Sequence, residues 1–160
     1  MDQFEQRIGV RFVQDCMSVS RRDTLRGIHG DYRTWKLIQC VHGAVMAAIV
    51  DLNPGSKTYF QSRTVFLNDR NRLMLLVPPG FGNSFLVLSD EAVYSYKKST
   101  YFKPGAEFTL HHAAEGTGID WPIDSPRLSA RDTEAPRQRA SFAAAMRHRR
   151  DLEGNPFLEG

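Results

Sequence analysis

Two residues early in the chain have side chains that could take part in proton-transfer chemistry. His29 lies in a strand-like stretch between Gly27 and Gly30, and histidine is the side chain best suited to exchanging protons near neutral pH. Lys36 follows seven residues later and enters an apolar segment. A lysine entering a buried strand is unusual because an unpaired buried ammonium is costly. His29 and Lys36 are therefore candidate functional residues. The plainer alternative is that His29 has only a structural role in its strand.

The histidine pattern argues against a metal centre. The chain has five histidines, and none of them forms an H-x-H pair, the motif that metal-dependent cupins use. His111 and His112 are adjacent, so in a strand their side chains would point to opposite faces and could not easily hold one ion. We therefore expect no catalytic metal and no cofactor.

The elements that must position these residues are short strands. Apolar segments alternate with turn signals such as Asn53-Pro54-Gly55 and Pro78-Pro79-Gly80. The segments are residues 11–15, 25–29, 35–42, 44–52, 58–67, 73–77, 85–88 and 92–102. Many short strands with turns at near-regular spacing predict an all-β sandwich or barrel rather than βαβ units.

Two segments at the C-terminal side carry more specific patterns. Residues 92–102 alternate, which predicts that Tyr94, Tyr96 and Lys98 share one face of a strand. The chain has one convincing helix, late in the sequence. Thr133 is its predicted cap, Pro136 suits its first turn, and residues 142 and 146 form an apolar i, i+4 pair.

Composition and charge exclude several classes of protein. The apolar share of 41% and charged share of 24% are ordinary for a globular chain, and no apolar run is long enough to cross a membrane. The first residues carry acids and no apolar core, which predicts no signal peptide. Two cysteines, Cys16 and Cys40, then indicate reduced thiols and a cytoplasmic protein.

The net charge of +3 is concentrated near the C-terminus, where residues 127–150 hold seven arginines against two acids. Nucleic-acid binders interleave basic residues with aromatics on one face, so we expect no nucleic-acid partner. The interpretation is a β-sandwich domain over residues 1–126 and a basic helical tail, residues 127–160, packed on the same domain.

Beyond these patterns, several segments resemble the dTDP-4-dehydrorhamnose 3,5-epimerase family, the metal-free sugar-nucleotide branch of the cupins. Nine pieces occur in the family's order and together extend from residue 12 to residue 132. They are Phe12-Val13-Gln14-Asp15, Leu25-Arg26-Gly27-Ile28-His29, Lys36-Leu37, Val50-Asp51-Leu52, Pro78-Pro79-Gly80-Phe81, Phe85-Leu86-Val87-Leu88-Ser89, Tyr96-Lys97, Gly118-Ile119-Asp120-Trp121-Pro122 and Leu128-Ser129-Ala130-Arg131-Asp132. The resemblance implies a cupin, or jelly-roll, β-sandwich with one short C-terminal helix.

The resemblance also implies the reaction and the residues that perform it. These epimerases invert C3, C5 or both in a nucleotide-linked 4-keto-6-deoxy sugar by removing a proton and returning one from the opposite face. The base would be His29, Asp132 would support its ring, and Tyr96 would be the acid. Lys36 would stabilise the enolate oxygen. The substrate-binding residues would be Arg26, Gln14, Asp31 and Asn83.

The chain departs from the family's common pattern in several places. The loop between His29 and Lys36 is shorter, Gly82-Asn83-Ser84 replaces an Ala-His-Gly run, and Cys16-Met17 stands where Asn and His are usual. The sequence also starts later than the common form. The Gly30-Asp31 and Gly82-Asn83-Ser84 variants resemble epimerases of GDP-linked 4-keto-6-deoxy heptoses in capsule synthesis, which favours GDP over dTDP.

Two other functions remain open. One is a 3,4-ketoisomerase of the same fold, although those enzymes carry a second histidine shortly after the first, where this chain has Asp31. The other is a cupin that binds a sugar nucleotide without catalysis. In either case we expect a homodimer, because small cupins cover their open sheet edges by pairing.

Overall fold

The computed structural model describes residues 2–147 and is built mainly of antiparallel strands. The strands are β1 (Gln14–Arg21), β2 (Leu25–Gly30), β3 (Lys36–His42), β4 (Ala44–Asp51), β5 (Ser62–Asn68), β6 (Met74–Val77), β7 (Phe81–Val87), β8 (Glu91–Lys98) and β9 (Phe108–Thr109). The helices are α1 (Asp2–Ile8), α2 (Ala130–Thr133) and α3 (Arg139–Met146). The all-β prediction is confirmed.

The strands form two sheets, with the order β1-β8-β3-β6 in the four-stranded sheet and β5-β4-β7-β2-β9 in the five-stranded sheet. Strand β4 lies between β5 and β7 and is buried along most of its length, with Val45 and Ala47 in one apolar cluster and Val50 in the other. From β1 to β4, and again from β5 to β9, consecutive strands alternate between the two sheets. Residues that are distant in sequence therefore face each other across the space between the sheets.

Two apolar clusters stabilise the sandwich. One contains Ile38, Val45 and Tyr94 and fills the space between the two sheets. The other contains Ile28, Phe108 and Phe142 and lies where α3 packs on the five-stranded sheet. Phe142 of α3 is fully buried. Burial of this aromatic ring holds one face of α3 against the core, so α3 is not surrounded by solvent.

The helices differ from the prediction in three ways, the first of which is that residues 130–133 form a separate short helix, α2. Helix α3 begins after Gln138 rather than at Thr133. The intervening backbone instead bonds to a neighbouring loop, where His111 N donates to Pro136 O at 2.9 Å. An N-terminal helix, α1, was not predicted, although Asp2 and Glu5 in its first turn and Arg7 in its last complement the helix dipole.

The division of the chain at residue 126 stays a prediction, and residues 148–160 of the predicted tail lie outside the described part of the chain. Among the described residues, no helix has the length and hydropathy needed to cross a membrane.

Candidate active site

A cavity of about 330 Å³ lies between the two sheets, and both sheets contribute to its walls. The five-stranded sheet supplies Arg26 and His29 from β2 and Asn83 from β7. The four-stranded sheet supplies Lys36 from β3 and Tyr96 from β8. Six of the eight residues predicted for the site, these five and Asp132, line this one cavity.

His29 and Asp132 form a hydrogen-bonded pair. His29 Nε2 lies 2.5 Å from Asp132 Oδ1, and the Asp132 side chain is almost fully buried. Burial alone would raise the pKa of Asp132, but the hydrogen bonds and charge from His29, with further bonds from Ser129 and the Gly27 N–H, hold this pKa below its usual value. Asp132 is therefore a carboxylate that orients the imidazole and can stabilise its protonated form.

The backbone around this pair explains why it forms. Asp132 lies in α2, and the Ser129 hydroxyl donates to Asp132 Oδ2 at 2.8 Å. The preceding segment runs beside β2, because Leu25 N donates to Arg127 O at 3.0 Å. Gly27 has a φ of +108°, and a Cβ there would lie 2.6 Å from Asn83 O. Only glycine allows the strand to approach β7 this closely at that φ.

Lys36 is buried on the facing sheet. Its ammonium donates to Asn83 Oδ1 at 3.0 Å and to His29 O at 3.3 Å. Burial lowers its pKa, and Lys98 and Arg131 add to this effect, whereas Glu107 and Asp31 oppose it. Asn83, which was predicted to bind substrate, thus lies where it holds the lysine in position.

Tyr96 also lines this cavity, and its side chain is partly exposed. Burial, followed by its contact with Cys16, raises the pKa of Tyr96 to about 12, so the side chain keeps its proton at neutral pH. Tyr94, two residues before, also lines the cavity, as the alternation of β8 predicts. Its ring is fully buried and stacks on Phe85 at 4.0 Å.

Gln14 and Asp31 do not line this cavity. Asp31 Oδ1 accepts hydrogen bonds from the backbone N–H of Arg33 and Thr34 at 2.8 and 2.7 Å, so this carboxylate shapes the loop before β3. Gln14 Oε1 accepts from Phe102 N at 2.8 Å. Asp31 lines a second cavity of about 440 Å³ beside the first, and Glu107 belongs to the walls of both.

Sequence patterns did not identify Glu107 and Arg131 as site residues. Arg131 lines the cavity, and its NH1 lies 3.2 Å from Glu107 Oε2. The sequence signal that could have found Arg131 is its position next to Asp132 in the last family motif. Glu107 lies in a segment where no strand pattern or motif was recognised.

The histidine pair is placed differently from the prediction. His111 and His112 lie beyond the end of β9, where the chain turns, so the strand rule for adjacent side chains does not apply. Their rings lie side by side, with centroids 4.2 Å apart. Within residues 2–147, no group of three or more His, Cys, Asp or Glu side chains is arranged to hold a metal ion.

Comparison with known proteins identifies the family. Residues 1–139 match the family profile described as dTDP-4-dehydrorhamnose 3,5-epimerase. The chain belongs to this epimerase family. A Salmonella typhimurium enzyme of that name is 39% identical over 139 residues, which cover 83% of this chain and 76% of the relative. A dTDP-4-dehydrorhamnose 3-epimerase from Streptomyces niveus is 37% identical over 143 residues, or 84% of this chain and 68% of the relative.

Solved structures agree with this membership of the epimerase family. A Legionella pneumophila 3,5-epimerase in complex with dTDP-4-keto-L-rhamnose is 35% identical with a TM-score of 0.79, over 84% of this chain and 74% of that one. A 4-keto-6-deoxy sugar epimerase from Streptomyces spheroides is 36% identical with a TM-score of 0.82, over 91% and 74%. The protein is thus an enzyme, an epimerase with the cupin fold.

Proposed function

We propose that this epimerase inverts C3, or C3 and C5, of a nucleotide-diphospho-4-keto-6-deoxy sugar through an enolate. The observation that carries the proposal is that His29, backed by Asp132, and Tyr96 belong to facing sheets and line one cavity. A sugar ring held between them has a base on one face and an acid on the other. Inversion requires this arrangement, because the proton must leave one face and return to the other.

His29 is the proposed base. Its Nε2 is engaged by Asp132, so Nδ1 is the ring nitrogen that accepts the proton from carbon. The resulting imidazolium is stabilised by the charged Asp132 carboxylate. Once the enolate has formed, the Tyr96 phenol donates a proton to the opposite face of the same carbon. His29 and Tyr96 therefore carry out the two proton transfers of the inversion.

Lys36 is the proposed stabiliser of the enolate. The C4 oxygen becomes negative when the proton leaves C3 or C5, and a fixed ammonium in a buried site interacts strongly with that developing charge. Asn83 and the His29 carbonyl accept hydrogen bonds from Lys36 and thereby fix the direction of its ammonium. A binding protein without catalysis would need neither this buried cation nor a base facing an acid.

Arg26 and Arg131 are the proposed contacts for the diphosphate, because guanidinium groups bind phosphate oxygens through paired hydrogen bonds. Both line the cavity, and both are held by hydroxyl groups: Arg26 Nε donates to Ser20 Oγ at 3.0 Å and Arg131 Nε to Thr109 Oγ1 at 2.7 Å.

Incubation with dTDP- and GDP-linked 4-keto-6-deoxy sugars in heavy water tests the proposal. We expect deuterium at C3 or C5 of at least one of them, detected as a mass increase, together with a change in stereochemistry seen by NMR. A protein that binds either nucleotide sugar tightly but incorporates no deuterium is a binding cupin instead. The relatives are named for dTDP-linked sugars, whereas two sequence variants of this chain resemble enzymes that act on GDP-linked sugars. Deuterium incorporation is therefore compared directly between the two substrates.

We also propose a homodimer formed through the outer face of the four-stranded sheet. Met17, Ser95, Gln39 and Met74 form one row across this sheet, and both methionines are strongly exposed. Val19 is also exposed on the edge strand β1. Burying this surface in a second copy would remove apolar area from water. Light scattering that gives the monomer mass of 18.2 kDa at micromolar concentration would contradict the dimer.

Finally, we propose a cytoplasmic role in supplying sugars for surface polysaccharides. Both cysteines are free thiols, as is usual in a reducing compartment. Cell fractionation of a tagged chain tests the location.

A further inference from the structure

A cluster of charges that includes Lys36 lies at the wall of the proposed active site, and two of its members, Lys98 and Glu107, have no role in the mechanism above. Lys36 and Lys98 are directly opposite each other on β3 and β8, and both are almost fully buried, with 5% and 4% of their surface exposed. Two buried ammonium groups at paired positions repel each other and disfavour the charged form of both. A catalytic lysine next to a second buried lysine therefore needs a compensating negative charge.

Glu107 supplies that charge. Its Oε1 lies 3.5 Å from Lys98 Nζ, and its Oε2 lies 3.2 Å from Arg131 NH1. It lines the same cavity as Lys36, and the charges of Lys36, Lys98 and Arg131 outweigh the effect of burial and hold its pKa below the usual value. The carboxylate is thus anionic and is fixed at the junction of three cations.

We propose that Glu107 is a positioning residue that keeps Lys36 protonated, so that Lys36 can stabilise the enolate. This inference rests on the proposed role of Lys36. The ionisable groups that face Lys36 are Asp31 and Glu107, which favour its charged form, and Lys98 and Arg131, which disfavour it. The other ionisable groups that line the same cavity are Arg26, His29, Tyr94, Tyr96 and Asp132. Glu107 is the one that also binds the competing cations Lys98 and Arg131 directly.

Opposite effects of two substitutions on the titration of Lys36 test the proposal. The chain has five lysines, so protein labelled with ¹³C at lysine Cε gives few signals, and Lys36→Met assigns the relevant one. In the substrate-free enzyme, Glu107→Gln should lower the titration midpoint of Lys36 by about one pH unit, because a nearby opposite charge is removed. Lys98→Met should raise it by about the same amount, because a like charge is removed.

Matched controls come from the same segments. Lys97→Met removes the neighbouring lysine, which pairs with the exposed Asp15, and Glu115→Gln removes an exposed acid. Neither should move the Lys36 midpoint. If Glu107→Gln does not fold, Lys98→Met still tests the electrostatic coupling between these charges and Lys36. In each variant, the alkaline limb of the pH profile of kcat should move in the same direction as the titration midpoint of Lys36.

A Lys36 midpoint that does not change in Glu107→Gln, or that moves in the same direction in both variants, would overturn the proposal. Because the titration is measured without substrate, it does not depend on whether the protein epimerises any sugar. Absence of epimerase activity with normal opposite shifts would instead contradict the proposed function alone.

Discussion

His29 and the His111–His112 pair show how differently one chain can use the same side chain. His29 has a quarter of its side chain exposed to a cavity and a charged carboxylate on one nitrogen. His111 and His112 are almost fully buried, and within the described residues His111 Nε2 and His112 Nδ1 have no hydrogen-bond partner. Burial and the charges of neighbouring groups, including Arg137, lower the pKa of both, that of His112 to about 4.

The difference shows what makes a histidine a usable base. A proton acceptor must reach its substrate and must be stabilised once it is charged. Asp132 and the cavity give His29 both properties, whereas burial and the charge of Arg137 outweigh the influence of Asp132 on His111 and His112 and keep these two histidines neutral. The predictions below separate the two environments.

The largest expected effect is on His29. His29→Asn removes the base, so deuterium exchange and epimerisation should both fall by about 10²–10⁴-fold or more. His111→Asn should lower the midpoint of urea unfolding and leave the exchange rate near that of the wild type. Near wild-type exchange in His29→Asn would show that another residue is the base.

Tyr96→Phe should separate the two halves of the reaction. The enolate can still form, so exchange with retention should persist at C3, while inversion falls by about 10²-fold and is lost first at C5. Tyr94→Phe is the matched change on the same strand face and should have little effect on inversion. NMR of the product in heavy water distinguishes retention from inversion, and equal loss of both in Tyr96→Phe would contradict its role as the acid.

Asp132→Asn should give a milder defect than His29→Asn, because the imidazole remains but loses the charge that orients it. We expect a loss of about 10-fold or more in kcat, the order of magnitude found when the hydrogen-bond partner of a metal-bound histidine is removed. Steady-state kinetics provide the measurement. An effect as large as that of His29→Asn would contradict the milder role and would mean that His29 is a base only when an acceptor holds the proton on Nε2, because asparagine can donate to Nε2 and favour the tautomer with the proton on Nδ1.

The smallest effect concerns stability at His112. Because its pKa is lower in the folded protein than in the unfolded chain, protonation favours unfolding. This histidine therefore costs no stability above about pH 6.5 and an increasing amount as the pH falls towards 4. The loss should be about 2 kcal/mol between pH 7 and pH 5.

Urea unfolding at these two pH values measures that loss, and His112→Gln should reduce it. His42→Gln, which replaces an exposed histidine, is the matched control. A pH dependence that is identical in His112→Gln and the wild type would place the acid sensitivity elsewhere.

Much of the fold follows from local sequence. Alternation along β8 predicted that Tyr94 and Tyr96 share a face, and turn signals such as Pro78-Pro79-Gly80 predicted where strands end. These features depend on neighbours in the chain and on the two-residue repeat of a strand. The predicted start of α3 was wrong because the carbonyls of Pro136 and Arg137 accept hydrogen bonds from His111 and Glu115, which lie in a loop distant in sequence.

The residues of the site also divide into those that local sequence identified and those whose roles only the tertiary structure revealed. Family motifs in the sequence were sufficient to name His29, Lys36, Tyr96 and Asp132 as candidates, since each lies in a short segment with a characteristic order. The sequence could not show that Asn83 holds Lys36, that Asp31 shapes a loop or that Glu107 joins three cations. Those facts arise where the two sheets and the chain after β8 meet, and only long-range packing determines which side chains lie together there.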